Sequence, residues 1–281
     1  MLNAHFSFPL RSIVILLISA TPFQSSGLSA QTVAVRQTEG LVHGFLALRT
    51  LEGETLAAGD MIQVAHGGRV TNRLIFHFRD GSVSDETAVF SQHGHLRLIS
   101  DHLIQKGPTF PHPIEVLTDA STGQVTVHYT DDNNKEKVTT DHLKLPPDLS
   151  NGLVITSLKN IPPDVPEMKV SILAAAPKPI LVKLAISSQG DEPFSTAGYG
   201  RKATHYIVKV EIGGVTGIMA QLLGKRPPDT HIWILEGDTP AFVKAEGPLY
   251  LGGPIWRIEL TSPVWPRDAG GDSKEEKTKH P

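Results

Sequence analysis

Cysteine is absent from the 281-residue chain. Its absence excludes disulfide bonds, thiolate metal sites, cysteine nucleophiles and the lipid-modified cysteine that anchors a bacterial lipoprotein. A chain without such cross-links must obtain its stability from a hydrophobic core and from paired secondary structure. Hydrophobic residues make up 40% of the sequence and charged residues 20%, a composition typical of a soluble folded domain.

An excess of basic charge is also absent. The 26 Lys and Arg residues stand against 29 Asp and Glu residues, which gives a formal net charge of -3. The basic residues are scattered and form no run or stripe along the chain. Because proteins that bind nucleic acid concentrate positive charge against phosphate, we predict no nucleic-acid partner.

No apolar run near the N-terminus is long enough to span a bilayer. The run "IVILLISA" at residues 13–20 follows Arg11 and precedes the small and polar stretch "TPFQSSGLSA". It has about half the length of a membrane helix, and this order of segments is typical of a secretory signal peptide cleaved after Ala30. We therefore predict a signal peptide at residues 1–30, no retained transmembrane helix, and a periplasmic or extracellular location. An N-terminal membrane anchor is the alternative.

Alternation of apolar and polar residues dominates the chain from residue 31 to residue 266 and predicts a single β-rich domain. In "RLIFHFR", Leu74, Phe76 and Phe78 share one face, whereas His77 lies on the other. The following Asp80-Gly81 predicts a hairpin turn. About ten such strands are expected, followed by a disordered polar tail at residues 267–281.

One helix is predicted within "DLSNGLVITSLKNIPP". Ser150 or Asn151 is expected to cap its N-terminus, and the prolines at residues 162 and 163 are expected to end it. The resulting fold class is mainly β. We expect a strongly curved antiparallel sheet or incomplete barrel with this helix packed on its concave side.

Aromatic residues are scarce, at 6% of the chain. Several of them lie on predicted strands, where they could line an apolar cavity inside a curved sheet; packing against the helix is the alternative. The residues predicted to line this cavity are Phe76, Phe78, Leu158, Tyr206, Val208, Trp233 and Trp256.

The histidines give a weaker indication of function. His93 and His95 form an H-x-H pair that, on one strand, points to one face and could share a metal ion. A third ligand would have to come from His77, His128 or Asp101. The favoured interpretation is a hairpin tip with Gly94 in the turn. We therefore predict no metal and no cofactor.

Catalytic motifs are equally sparse. The chain contains no G-x-S-x-G motif, and Asp101 next to His102 on a strand faces the opposite side, so the two cannot form part of a triad. Carboxylates suited to glycosidase chemistry are present at Asp85, Glu86 and Glu115, without a diagnostic spacing.

From about residue 33 to residue 266 the chain resembles exported proteins of soil bacteria, acidobacteria in particular, that contain a domain of unknown function. The resemblance is carried by "SDHLIQKGPTFPHPIEV", "KEKVTTDHLKLPPDLSNGL", "RKATHYIVKVEIGGVTG", "PAFVKAEGPLYLGGPIWRIEL" and "SPVWP". It implies an exported β-protein and no particular activity.

The order of strands, one helix and further strands that include "HIWILEGDTPAFVKAEG" is similar to periplasmic β-proteins such as the LolA and LolB lipoprotein carriers. In these, a curved antiparallel sheet folds around a helix and leaves an apolar cavity. The resemblance implies that the apolar faces described above line such a cavity. The chain lacks the lipid-modified cysteine and matches no motif of the carriers residue by residue, so no ligand is implied.

Two functions follow as expectations. The first is an exported envelope protein without enzymatic activity, which binds or handles an apolar small molecule or lipid, or serves as a structural factor. It requires an apolar cavity between sheet and helix. The alternative is a hydrolase acting on an envelope polymer with a His/carboxylate pair such as His77 and Glu86. That function requires both side chains within hydrogen-bond reach in one cleft.

Overall fold

The computed structural model describes residues 32–131, 133–162, 164–196, 199–211 and 227–261. The predicted signal peptide at residues 1–30 and the predicted tail at residues 267–281 lie outside these ranges.

Fourteen strands and one helix make up the described part of the chain. The strands are β1 (Val42–Arg49), β2 (Thr55–His66), β3 (Arg69–Phe78), β4 (Val83–Ser91), β5 (Arg97–Lys106), β6 (Ile114–Asp119), β7 (Gln124–Thr130), β8 (Glu136–His142), β9 (Met168–Ala174), β10 (Ile180–Thr196), β11 (Tyr199–Glu211), β12 (Thr230–Leu235), β13 (Ala241–Pro248) and β14 (Ile255–Leu260). The helix α1 (Val154–Asn160) lies between β8 and β9.

All fourteen strands form one antiparallel sheet in the order β8-β7-β6-β5-β4-β3-β2-β1-β14-β13-β12-β11-β10-β9. The pairing of β1 with β14, in which Leu46 lies opposite Leu260, joins the first and last strands of the sequence in the middle of the sheet. Strands β8 and β9 are the two edges, so the sheet is not closed into a barrel. The predicted fold class is confirmed, with more strands than the ten expected.

The alternation in β3 shows why these residues form this sheet. Phe76 and Phe78 are buried in the core, whereas His77 is exposed on the opposite face. Gly81 has a φ of 84° in the turn to β4, a conformation that glycine adopts without steric penalty. On the neighbouring strand, a Cβ at Gly59 would lie 2.4 Å from Phe76 Cδ1. The lack of a side chain at Gly59 therefore lets the Phe76 ring pack across β2.

The helix begins without the side-chain cap that the sequence predicted. Leu153 is its N-cap residue and makes no capping hydrogen bond through its side chain. The Ser150 hydroxyl donates to the Asp148 carbonyl instead, at 3.0 Å. The Asn151 side chain exchanges two hydrogen bonds with the backbone of Leu173, at 2.9 and 2.8 Å. Both predicted caps are wrong, because these side chains fasten the preceding turn to itself and to β9.

Polar residues account for much of the buried surface of α1. Leu158 is buried as predicted, but Thr156, Ser157 and Asn160 are buried as well. The Asn160 Oδ1 atom accepts hydrogen bonds from the backbone N–H groups of residues 36 and 37, both at 2.7 Å. The N-terminal segment thus satisfies the side-chain oxygen of Asn160, whereas the buried Ser157 hydroxyl has no partner among the described residues.

Within the described ranges, no helix has the length and apolar character needed to cross a bilayer. The one helix present has seven residues.

Candidate functional site

A partly open cavity lies between the concave face of the sheet and the turn between β13 and β14. Its central pocket has a volume of about 560 Å³. Strands β9 to β12 line one side of it with apolar side chains, among them Ile172, Leu184, Val208 and Ile232. Leu74 of β3, together with Leu103 of β5, forms the opposite wall. The lining is predominantly apolar, as in sites that bind small molecules.

Two further pockets adjoin the central pocket and share wall residues with it. One, of about 580 Å³, shares Gln105, Ala175 and residues 250–252, and extends past His112 and Tyr129. The other, of about 320 Å³, shares its apolar wall with the central pocket and extends to the turn before α1. The shared residues show that the three pockets lie next to one another along the concave face.

An aromatic cluster supports the turn that borders two of these pockets. Tyr250 in this turn packs edge-on against Phe110 and Trp256, with ring centroids 5.4 and 5.9 Å apart. Phe78 contacts both of these rings at 5.5 and 5.7 Å. Gln105 Nε2 donates a hydrogen bond of 2.9 Å to the carbonyl of Leu249, the residue before Tyr250 in this turn. The wall of the cavity is therefore fixed by the core beneath it.

Two carboxyl groups lie on the concave face next to the smallest of the three pockets. Glu86 on β4 pairs with Leu103 of β5, and Ala88 pairs with Asp101, so the two carboxylates are diagonal neighbours on one face. Glu86 and Gly152 both line the pocket. Glu86 is half-buried, and it borders this pocket.

Both carboxyl groups converge on Gly152 in the turn before α1. A Cβ at this glycine would lie 3.5 Å from Asp101 Oδ1, 3.6 Å from Glu86 Cδ and 2.5 Å from Ala88 Cβ. The φ of Gly152 is 62°, which most other residues rarely adopt. Asn72 Nδ2 donates a hydrogen bond of 3.1 Å to its carbonyl oxygen. Only glycine fits the position without a clash, so the turn is held tightly against the two carboxyl groups.

Burial makes both of these groups weak acids. Desolvation raises the pKa of Glu86 to about 7, and the hydrogen bond from the Gly152 N–H opposes this only in part. Desolvation also raises the pKa of Asp101 well above its ordinary value, and the charge of Glu86 adds to the effect. Asp101 Oδ1 has no hydrogen-bond partner among the described residues. Both carboxyl groups therefore favour the protonated form more strongly than an exposed carboxyl group does.

The residues predicted to line a cavity fall into separate places. Val208 lines the central pocket. Leu158 and Tyr206 line a different pocket of about 140 Å³, which also has polar walls formed by Arg36 and Lys159. Phe76, Phe78 and Trp256 are buried in the main core. Contact of any of these residues with a ligand stays a prediction.

Trp233 lies on the opposite face from the cavity, contrary to expectation. Its neighbours Ile232 and Ile234 belong to the main core, so alternation along β12 turns Trp233 outward. There the indole stacks on His205 at 4.4 Å and donates a hydrogen bond of 2.8 Å to Glu192. Lys244 Nζ lies 3.8 Å from the ring centroid. The sequence "HIWIL" is apolar at four consecutive positions, so the pattern does not indicate which face of the strand points inward.

The histidines are distributed as the favoured interpretation predicted. His93 and His95 are exposed, and Gly94 between them has a φ of 70° in the turn between β4 and β5. His102 points outward and contacts Glu115 at 2.7 Å, whereas Asp101 is buried on the inner face. Within the ranges that the structure describes, no three His, Asp or Glu side chains lie close enough to hold a metal ion.

The pair named for the hydrolase alternative does not assemble. His77 is exposed on the outer face, whereas Glu86 lines an internal pocket. The histidine–carboxylate contacts present on the described strands join His43 to Asp60, His102 to Glu115 and His205 to Glu192, at 2.7, 2.7 and 2.9 Å. The last two lie on the face of the sheet that points away from the cavity, and none of the three includes His77 or Glu86.

Sequence reasoning missed the pairing of Glu86 with Asp101. The available signal was the position of Glu86 two residues before Ala88 in "SDETAVF", which places a carboxylate on an inward-facing position. Its proximity to Asp101 depends on the register between β4 and β5. That register includes an irregularity between Val89 and Phe90, which no local pattern encodes.

The fold and its cavity define an open, strongly curved antiparallel β-sheet protein with a helix enclosed on its concave side. No protein-family model matches the chain, and a search of curated proteins finds no match. Among solved structures, the chain is similar to a beta-barrel-like protein of domain of unknown function DUF1849 from Brucella abortus. The two share 7% identity with a TM-score of 0.43, over 80% of this chain and 100% of that one. This likeness transfers no activity.

Proposed function

We propose that the protein is an exported, non-enzymatic binding protein of the bacterial envelope, which holds an apolar small molecule or lipid in its internal cavity. The observation that carries the proposal is the set of adjoining pockets described above. Its central pocket of about 560 Å³ is lined mostly by apolar strand residues, and its size lies within the ~300–1,000 Å³ of pockets that bind small molecules.

The packing around the cavity supports an occupant. The turns at its two ends are fixed by specific contacts: Asn72 and Glu86 hold Gly152, and Gln105 holds Leu249. A pocket whose walls are held apart in this way does not close by collapse. Apolar side chains that face an unfilled space lose van der Waals contacts, so an apolar molecule that fills it stabilises the fold.

Export is the second part of the proposal and is supported by the N-terminal sequence. Arg11, the apolar run at residues 13–20 and the small residues up to Ala30 have the order of a cleavable signal peptide. In a Gram-negative host, cell fractionation followed by N-terminal sequencing should recover the mature chain outside the cytoplasm with Gln31 as its first residue. A cytoplasmic chain that retains residues 1–30 would contradict this part.

The binding part is tested by filling the cavity. Val208 faces the central pocket, and its neighbour Ile207 lies on the other face of β11. Val208→Trp should weaken the binding of a fluorescent apolar probe at least tenfold, because the indole occupies the pocket. Ile207→Trp adds the same side chain outside and should leave binding unchanged.

A second variant protects the experiment against misfolding. Ala175 lines both of the large pockets at their junction and is only half-buried. Ala175→Trp should therefore fold and should also reduce probe binding. Circular dichroism melting curves confirm folding for each variant. Equal probe binding by the folded Val208→Trp, Ala175→Trp and Ile207→Trp proteins would contradict the proposed function.

A further inference from the structure

We propose that the molecule held in the cavity carries a basic amine, and that its ammonium group binds Glu86 at the end of the cavity next to α1. This inference rests on the proposed function, because it names the chemical class of the ligand for the same site. It is carried by the position of Glu86, by the absence of a cation beside it among the described residues, and by the oxygen of Asp101 that has no partner among them.

The pocket that Glu86 lines adjoins the central pocket. Glu86 lines the pocket of about 320 Å³, whose wall also includes Leu74, Ile172 and Leu184. These three residues line the central pocket as well. One molecule can therefore place an apolar body among the strand residues and a polar group against Glu86.

The Glu86 and Asp101 carboxyl groups have no cationic partner among the described residues. Among the described residues, no Lys, Arg or His forms an ion pair with Glu86 or Asp101. The neighbouring cations near α1 are engaged elsewhere: Lys159 binds Glu39 and Lys183 binds Asp148, each at 2.6 Å. On β3, Leu74 lies opposite Glu86. The preceding residue, Arg73, points outward and binds Asp85 at 2.6 Å. The chain thus places two acids in its interior and leaves them without a counter-charge.

One buried oxygen of Asp101 lacks a hydrogen-bond donor among the described residues. Asp101 is 3% exposed, and its Oδ1 atom accepts no hydrogen bond within the described part of the chain. It lies against Gly152 beside the Glu86 carboxyl; Gly152 and Glu86 line the pocket, and Asp101 lies directly behind them. Buried acceptors without a donor are rare and unfavourable. An ammonium group supplies three donors and the missing positive charge.

Other head groups fit this end of the cavity less well. A carboxylate, as in a fatty acid, would add a third acid beside two whose pKa values are already raised by burial. An alcohol provides one donor and no charge. A charge-assisted hydrogen bond is substantially stronger than a neutral one. An apolar amine therefore has the chemistry that the pair selects.

Binding of the amine is coupled to a proton. In the unliganded site, the pKa of Glu86, raised to about 7, leaves this carboxyl group mostly protonated at pH 6.5. When the ammonium binds, Glu86 becomes a carboxylate paired with it, and the displaced proton passes to the solvent. The net reaction exchanges one proton for one organic cation, so binding should release up to one proton per site below pH 7.

The test compares three ligands with the same ten-carbon chain: decylamine, decanol and decanoate. Isothermal titration calorimetry at pH 6.5 in two buffers of different ionisation enthalpy gives both affinity and proton release. The amine should bind about tenfold more tightly than the alcohol, as expected for one charge-assisted hydrogen bond, and decanoate should bind weakest. Only the amine should release a proton.

Variants separate this inference from the proposed function. Glu86→Gln retains an oxygen that can accept a hydrogen bond from the Gly152 N–H, and it should abolish both the preference for decylamine over decanol and the proton release. Asp101→Asn should reduce the preference and serves if Glu86→Gln fails to fold. Asp85→Asn removes the neighbouring outward carboxylate and should change nothing.

The outcomes are distinguishable. If decanol binds in the cavity and decylamine binds no better, or if Glu86→Gln keeps the preference, the inference is wrong and the binding function stands. In that case the carboxyl pair only anchors the turn at Gly152. If none of the three ligands binds, the proposed function itself fails.

Discussion

The concave face of the sheet is filled in one region and hollow in another. In the filled region, on β1 to β4, Leu48, Val70, Phe76 and Phe90 are at most 1% exposed. In the hollow region, on β9 to β12, the inward side chains of Ile172, Leu184, Val208 and Ile232 border the central pocket. Both regions have the same alternating pattern and the same apolar residue types. The difference shows that an apolar strand face indicates which side points inward, and leaves open whether protein or a ligand covers it.

The sharpest way to break this comparison is to truncate one side chain in each region. Val70→Ala in the filled region should lower the free energy of unfolding by about 2–3 kcal/mol, because this valine is fully buried and its truncation leaves a cavity in close packing. Val208→Ala in the hollow region should lower it by about 1 kcal/mol or less, since one side of Val208 already faces open space. Denaturant unfolding measures both. Equal losses would show that the two regions are packed alike.

The carboxyl pair predicts an unusual pH dependence. The pKa of Glu86 is higher in the folded state than in the unfolded chain, where it is about 4.5. The contribution of this group to stability is therefore fully present below pH 4.5, where both states are protonated. It is lost as the pH rises through about 7. The loss amounts to up to about 3 kcal/mol.

Unfolding curves of the wild type and Glu86→Gln between pH 5 and 8 measure this effect. The variant should lack the decrease in stability across this interval. The difference isolates Glu86 from the exposed Asp80, Asp119 and Asp131, whose pKa values are lowered by hydrogen bonds and which act only at lower pH. Parallel profiles for the two proteins would show that Glu86 is ionised throughout.

The turn that separates the hollow region from α1 gives a smaller effect. Gly152→Ala combines a φ of 62° with a Cβ placed 2.5 Å from Ala88 Cβ and should cost about 2 kcal/mol or more. Gly67 has nearly the same φ, 61°, with no atom within 4 Å of its Cβ position. Gly67→Ala should therefore cost only the backbone strain, about 1 kcal/mol. If the two thermal midpoints fall equally, the turn is not held tightly against the sheet.

The outer face should contribute least. His102→Ala removes the exposed contact with Glu115 and should change the free energy of unfolding by about 0.5 kcal/mol or less, because exposed ion pairs are weak. A loss of several kcal/mol in the same denaturant experiment would mean that this outward contact carries part of the stability assigned to the concave face.

Local sequence patterns were sufficient where one face was polar. The alternation around His77 predicted the orientation of Phe76 and Phe78, and Asp80-Gly81 and Gly94 marked two turns correctly. They were insufficient where partners are distant in sequence. Ser150 and Asn151 are residue types that often cap helices. In the fold, however, their side chains form hydrogen bonds with the backbone of Asp148 and Leu173.

The candidate site was only partly predictable for the same reason. Val208 was correctly placed on an inward face, and an apolar cavity was expected from the curvature of the sheet. Trp233 was misplaced because Ile232 and Ile234 on either side are equally apolar, so composition did not distinguish the two faces of β12. The meeting of Glu86 and Asp101 requires the β4–β5 register and the Gly152 turn, which only the folded chain brings together.

Native mass spectrometry of the protein purified without detergent tests the central claim most directly. The account predicts that the wild type and Ile207→Trp carry an additional mass of a few hundred daltons, which is released on collisional activation and recovered in an organic extract. The folded Val208→Trp variant should have the mass of the polypeptide alone. Bare polypeptide mass for the wild type, together with no uptake of added apolar ligand, would contradict the account.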